Sequence, residues 1–127
     1  MNDPRPHLKD TPDLRIRIVF GEDAMLGPGK ADLLERIRET GSIAAAGRSM
    51  SMSYKRAWSL VDEMNNAFRD PVVASTRGGP SGGGARLTDL GREVLSQYRA
   101  LETEAAARGA DRLAVLRGLL RDIPREK

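Results

Sequence analysis

The side chains in this sequence whose types and spacing suit chemistry are cations and hydroxyls. Ser53, Tyr54, Lys55, Arg56 and Ser59 crowd one short run, Ser42 lies a little before them, and Arg77 and Arg86 flank a glycine loop. Such groups donate hydrogen bonds to phosphate oxygens, and an arginine fork can hold a guanine edge with two parallel bonds. Catalysis has much less to draw on. There is no cysteine, the only histidine is His7 in a proline-rich tail, and no carboxylate cluster accompanies a candidate nucleophile. The serines read as caps and linkers, and an enzyme is the weakest reading. Without cysteine or clustered histidine, neither a metal site nor a cofactor is expected.

The formal net charge of +3 says little by itself, but its distribution says more. Residues 41–61 carry Arg48, Lys55 and Arg56, and residues 71–88 carry Arg77 and Arg86, with no acid in either stretch. The rest of the chain is therefore net negative. Segregation of this kind suits a polyanionic partner. A chance gap in acids on an ordinary solvated surface explains the charge alone equally well. The surrounding elements have to decide.

At 127 residues the chain is expected to form one domain with tails. Residues 1–12, with Pro4, Pro6 and Pro12, read as a disordered arm, and His7 within it as solvated. From Leu14 to Phe20, apolar Leu14, Ile16, Ile18 and Phe20 alternate with Arg15, Arg17 and Val19, the pattern of a half-buried strand. Residues 24–26 suit a short return or a lead-in to the next element. Gly27-Pro28-Gly29 punctuates the chain before a helix over 30–40 with Leu33, Leu34 and Ile37 inward. It is not a dinucleotide fingerprint, because Asp32 stands where the third glycine belongs.

Gly41 is placed to end that helix in a left-handed conformation, and Ser42 to cap the next, over 43–50. The small residues Ala44, Ala45, Ala46 and Gly47 allow a close helix crossing. After a Ser51-Met52 link, Ser53 caps a helix running to about residue 68. Its inward stripe reads as Tyr54, Ala57, Trp58, Val61, Met64 and Phe68, with Lys55, Arg56, Ser59, Asp62, Asn65 and Asn66 opposite. On this reading Trp58 anchors the core and does not stack on a base. The cations and hydroxyls fall in the first two turns, the end by which a recognition helix enters a major groove.

Asp70-Pro71 breaks the helix. Two short strands follow, about 72–77 and 85–88, around a loop rich in Gly78, Gly79, Gly82, Gly83 and Gly84: a hairpin wing. A nucleotide-binding P-loop would need Gly-Lys-Ser/Thr opening a helix, which is missing, although the glycine amides can still face phosphates. Thr88 caps a helix over 89–108 whose stripe includes Leu90, Val94, Tyr98 and Leu101, suited to pairing with a partner chain or to packing within its own domain. Leu113, Leu116, Leu119 and Leu120 mark a last short helix. The fold class is thus mainly α with a small antiparallel β wing: a winged helix-turn-helix with C-terminal dimerisation helices. The expected divisions are the arm (1–12), a DNA-binding domain (13–108) and a C-terminal helix and tail (109–127). No stretch has the apolar length of a membrane span or a secretory signal, so a cytoplasmic location with no membrane partner is expected.

Gly41-Ser42-Ile43, the run Ser53-Tyr54-Lys55-Arg56-Ala57-Trp58, Asp62-Glu63-Met64-Asn65, and the loop from Arg77-Gly78-Gly79 through Gly82-Gly83-Gly84-Ala85-Arg86-Leu87-Thr88 to Gly91 occur in a specific order. Together they resemble the N-terminal DNA-binding domain of ModE-type molybdate-dependent transcriptional regulators, a winged helix related to that of LysR-type regulators. The resemblance spans roughly residues 14–108. It implies a homodimer formed through the N-terminal strand region and the helix after the wing, with recognition helices in successive major grooves of a palindromic operator. On the matching positions Ser53, Tyr54, Lys55, Arg56 and Ser59 would present the reading helix, and Arg77 and Arg86 would flank the wing. In that family the turn often carries glycine where this chain has Ser51, which puts a residue with a Cβ at a conformationally demanding point. The family's molybdate-holding domains would begin where this chain ends, so its molybdate site maps onto no residue here and direct sensing is not expected. Two other readings stay open: a winged-helix protein-interaction module working with a separate sensor subunit, and a small oxyanion-binding protein.

Overall fold

The computed structural model describes residues 14–76 and 84–121. The arm with His7, and Arg77, Gly78, Gly79, Gly82 and Gly83 of the loop, lie outside the described residues. The chain opens with a minimal hairpin, β1 (Ile18–Val19) antiparallel to β2 (Met25–Leu26), in which Ile18 faces Leu26. The expected alternation holds along the lead-in, where Leu14, Ile16 and Ile18 are half-buried and Arg15, Arg17 and Val19 are exposed. Phe20 departs from it. Its amide still donates to the Ala24 carbonyl across the hairpin at 2.9 Å, but its side chain stands exposed with the ring edge-on to Phe68, centroids 6.3 Å apart.

Helix α1 (Pro28–Thr40) starts on a proline, whose fixed φ suits a first helical turn. It buries Leu33, Leu34 and Ile37 completely and ends at Gly41, whose φ of 73° is the left-handed cap expected of it. Ser42 then accepts the Ala45 amide at 3.0 Å to cap α2 (Ile43–Ser49). Gly47 lies where α2 crosses the next helix, and a Cβ there would come within 2.9 Å of the Ala57 methyl. The turn into α3 (Tyr54–Ala67) passes through Ser51 at φ 61°, so the non-glycine residue does occupy the left-handed region. Ser53 caps α3 by accepting the Arg56 amide at 3.0 Å.

The wing strands are β3 (Val73–Thr76) and β4 (Gly84–Leu87), antiparallel, with Val73 opposite Leu87 and Thr76 opposite Gly84. Helix α4 (Asp89–Arg108) returns across α1, and α5 (Ala110–Gly118) extends beyond it with no buried residue. This is a winged helix-turn-helix, with Leu33, Leu34, Ile37, Val61, Met64, Val72 and Tyr98 as its most deeply buried large side chains.

Two polar devices hold the layers together. Lys30 is 7% exposed, and its ammonium donates to the Met25 carbonyl at 3.1 Å and pairs with Glu63 at 3.0 Å, tying β2 and α3 to the start of α1. On the far side the Arg99 guanidinium of α4 meets Asp32 at 2.7 Å, Glu35 at 2.7 Å and Glu102 at 3.0 Å. Partial burial works against its charge, but the hydrogen bonds it donates to Asp32, Glu102 and Glu35 outweigh that and push its pKa up. The three carboxylates therefore serve an ion-pair network joining α1 to α4.

Candidate nucleic-acid interface

The first turn of α3 projects past the core. Tyr54, Lys55 and Arg56 are exposed there, Ser59 is exposed in the next turn, and Ser53 is exposed at the cap. The amide direction at Ser53 and the lack of any acid in the first turn leave the helix N-terminus electropositive. Lys55 and Arg56 therefore sit in a field that favours an anion, with neither one bound in an ion pair among the described residues.

The wing is placed beside this helix by three anchors. The Ala85 amide donates to the Gly41 carbonyl at 2.9 Å, hooking β4 onto the turn between α1 and α2. Asn65 clamps the entry to β3: its side-chain oxygen accepts the Val72 and Val73 amides at 2.8 and 3.1 Å, and its amide donates to the Val73 carbonyl at 3.3 Å. Thr88 closes the exit, donating to the Pro71 carbonyl at 2.7 Å and capping α4 through the Gly91 amide at 2.9 Å. Arg86 is carried outward on β4, where among the described residues its side chain meets only the Leu87 carbonyl, at 3.5 Å.

Of the residues expected in contact with DNA, Ser53, Tyr54, Lys55, Arg56 and Ser59 share one exposed helix end, and Ser42 borders it from α2. Arg86 lies on the adjoining wing. Gly84 begins β4, while Arg77 and the remaining loop glycines fall outside the described residues.

The stripe assigned to α3 needs correction. Tyr54 is 58% and Trp58 37% exposed, so neither anchors the core. They face each other edge-on at 6.3 Å, and the Trp58 indole N–H donates to the Tyr54 hydroxyl. Leu60 takes the buried place instead, beside Ala57, Val61 and Met64. Asn65, read as solvated, is the wing clamp. A second correction concerns Tyr98. It is 2% exposed and donates to the Ile16 carbonyl at 2.5 Å, so its hydroxyl is spent inside the protomer and only a small part of its ring reaches the groove beside α4. Leu90 and Val94 pack partly on the same core, while Leu101 is 40% exposed. Val94 and Leu101 border a groove of about 410 Å³ between α4 and the N-terminal hairpin, with Phe20 and Phe68 across it.

No family model matches the chain. Three relatives carry the comparison. The molybdenum transport protein ModE of Azotobacter vinelandii is 49% identical over 72 residues, covering 57% of this chain and 27% of that protein. The molybdenum-pterin-binding protein MopB of Rhodobacter capsulatus is 41% identical over 104 residues, 76% of this chain and 38% of that one. The DNA-binding transcriptional dual regulator ModE of Escherichia coli K12 is 36% identical over 86 residues, 68% and 33% respectively. The chain is a ModE-type winged-helix domain. It spans about a third of the length of these relatives. Their names describe transport, regulation and molybdenum-pterin binding, none of them an enzymatic activity. Among the described residues of this ModE-type domain, no helix is long and apolar enough to cross a membrane.

Proposed function

We propose that this domain binds double-stranded DNA as a homodimer and regulates transcription, with α3 in the major groove and the wing on the adjoining backbone. The observation that carries the reading is the exposed, acid-free start of α3, where Lys55, Arg56 and Ser59 stand together beside a wing that three hydrogen-bonded anchors hold in place. Arg56 reads a guanine edge, and Lys55, Arg77 and Arg86 meet phosphates. Residues 13–108 form the DNA-binding unit and 109–127 an appended helix and tail. The relative whose name declares a DNA-binding regulator lends support.

The dimer is proposed to close over the groove bordered by Phe20, Val94 and Leu101, with a palindromic operator mirroring its two-fold axis. Gel shifts with genomic fragments test the DNA reading: retarded, competitor-resistant fragments are expected, and uniform indifference to DNA would remove it. A second reading, a protein-interaction module, is favoured by α5 and the turn that follows it, where Val115, Leu116, Leu119 and Leu120 are all at least 60% exposed. That surface suits a separate effector subunit, and such a complex would persist under excess DNA.

A further inference from the structure

Between α2, the start of α3 and the base of the wing lies a notch of about 290 Å³. That is roughly the share of ten liquid waters, larger than a site for a single bridging water needs. Three hydroxyls border it, Ser42, Tyr54 and Ser75, and its wall is apolar: the Trp58 indole with Ala44 and Ala85. No acid lines it.

The hydroxyls are unspent as donors. The Ser42 oxygen accepts the Ala45 amide and the Tyr54 oxygen accepts the Trp58 indole N–H, so the hydroxyl hydrogen of each remains available. Neither donates to another group among the described residues, and the Ser75 hydroxyl makes no side-chain bond among them. An opening lined by donors and free of carboxylates is matched to an anionic oxygen. The apolar wall beside them is matched to a sugar face. The Trp58 to Tyr54 bond also fixes both rings before any ligand arrives, which lowers the ordering cost of binding.

We propose that this notch seats one phosphodiester of the DNA backbone with its deoxyribose, Tyr54 donating to the phosphate and Trp58 packing on the sugar. The assignment rests on the DNA-binding reading above, but adds Trp58 and Ser75 to the surface and gives Tyr54 a backbone rather than a base-reading role.

The test uses the single tryptophan of the chain as its reporter. The full chain is titrated with a duplex that it selects from a random pool and with an unrelated duplex of the same length. Binding is followed by anisotropy of the labelled DNA and, separately, by Trp58 emission. The expected result is a change in Trp58 emission in step with binding on both duplexes, and a roughly tenfold to hundredfold loss of affinity for Tyr54→Phe on both. Ser75→Ala should weaken both in the same direction. Because Tyr54 and Ser75 are exposed, thermal melts of these variants should match the parent. Parent-like binding by Tyr54→Phe, with Trp58 emission unmoved while anisotropy shows DNA bound, would overturn the notch and leave the DNA reading intact. A loss confined to the selected duplex would place Tyr54 on a base edge and overturn it too. Absence of binding by the parent chain to either duplex would overturn the DNA reading and the notch with it.

Discussion

At the residue scale, Lys55 and Arg56 are neighbours with different expected tasks. Arginine presents a planar fork matched to two acceptors on guanine, whereas lysine is a flexible point charge suited to phosphate. Arg56→Ala should cost about 1–3 kcal/mol on the selected sequence and much less on random DNA, narrowing the gap between them. Lys55→Ala should weaken both alike and, because both protomers lose a contact, reduce the salt slope by about two. Parallel titrations on the two duplexes separate these outcomes, and equal losses for Arg56→Ala would move that side chain to the backbone. Within the fold, Asn65→Ala should cost about 1–3 kcal/mol in denaturant unfolding, because it strands the Val72 and Val73 amides at the wing's root. An unchanged unfolding midpoint would mean that water replaces the clamp without loss.

How far these residues could be recognised from sequence depended on the range of the interaction. The caps at Ser42, Ser53 and Thr88 and the left-handed Gly41 are decided within a few residues, and all were legible. The clamp of Asn65 was not, since its partners lie seven and eight residues away across a chain reversal. Tyr54 and Leu60 were ambiguous for a geometric reason. At about 100° per residue they sit about 60° to either side of Ala57, and Trp58 sits further round than Tyr54. Periodicity identifies the stripe's centre, but which edge is covered depends on where neighbouring elements lie. Here α3 turns its Leu60 edge to the core and leaves its Tyr54–Trp58 edge at the notch. The phosphate-binding candidates were legible as a cluster because a cation-rich, acid-free helix start is itself a local pattern.

At the element scale, the start of α4 approaches the backbone at the root of the wing too closely for a side chain. A Cβ on Gly91 would lie 2.0 Å from the Val72 carbonyl oxygen. Gly91→Ala must push α4 away from β3 or distort its first turn, costing at least about 1–3 kcal/mol. Chemical unfolding should show that loss, and a parent-like midpoint would contradict the packing. Further along α4, Tyr98 ties the helix to the N-terminal lead-in. Burial, with the charge of Glu102 and a smaller share from Asp32, pushes its hydroxyl pKa up, against Arg99 and Arg15. The folded state therefore disfavours tyrosinate. Its contribution is intact below the ordinary value near 10 and is lost as pH rises through the higher folded value. Tyr98→Phe should lower stability by about 0.5–1.5 kcal/mol at neutral pH and flatten the alkaline decline. An unaltered alkaline profile would place the titrating group elsewhere.

At the scale of the whole molecule, the exposed apolar surfaces have a common logic. Phe20 and Leu101 border a groove on one side of the hairpin, and α5 has no buried residue of its own. Surfaces of this kind favour burial against a second chain. Sedimentation should show a dimer, and Leu101→Glu should shift it toward monomer with little change in the protomer's own melting, because Leu101 contributes little to the internal core. Weakening of dimerisation should weaken DNA binding more than in proportion, since two half-sites are gripped by one particle. The sequence placed the α4 stripe correctly as amphipathic, but it could not apportion Tyr98 to the inside and Leu101 to the surface, because that depends on how the N-terminal strand crosses the helix.

The measurement that bears most directly on the central claim is the affinity of the full chain for a selected duplex across a range of salt concentrations. A dimer placing Lys55 and Arg86 of both protomers on phosphates should release about four or more counterions, so the logarithm of the binding constant should fall linearly with the logarithm of salt, with a slope of about −3.6 or steeper. Specific binding that is nearly independent of salt, or no binding to any duplex, would contradict the account.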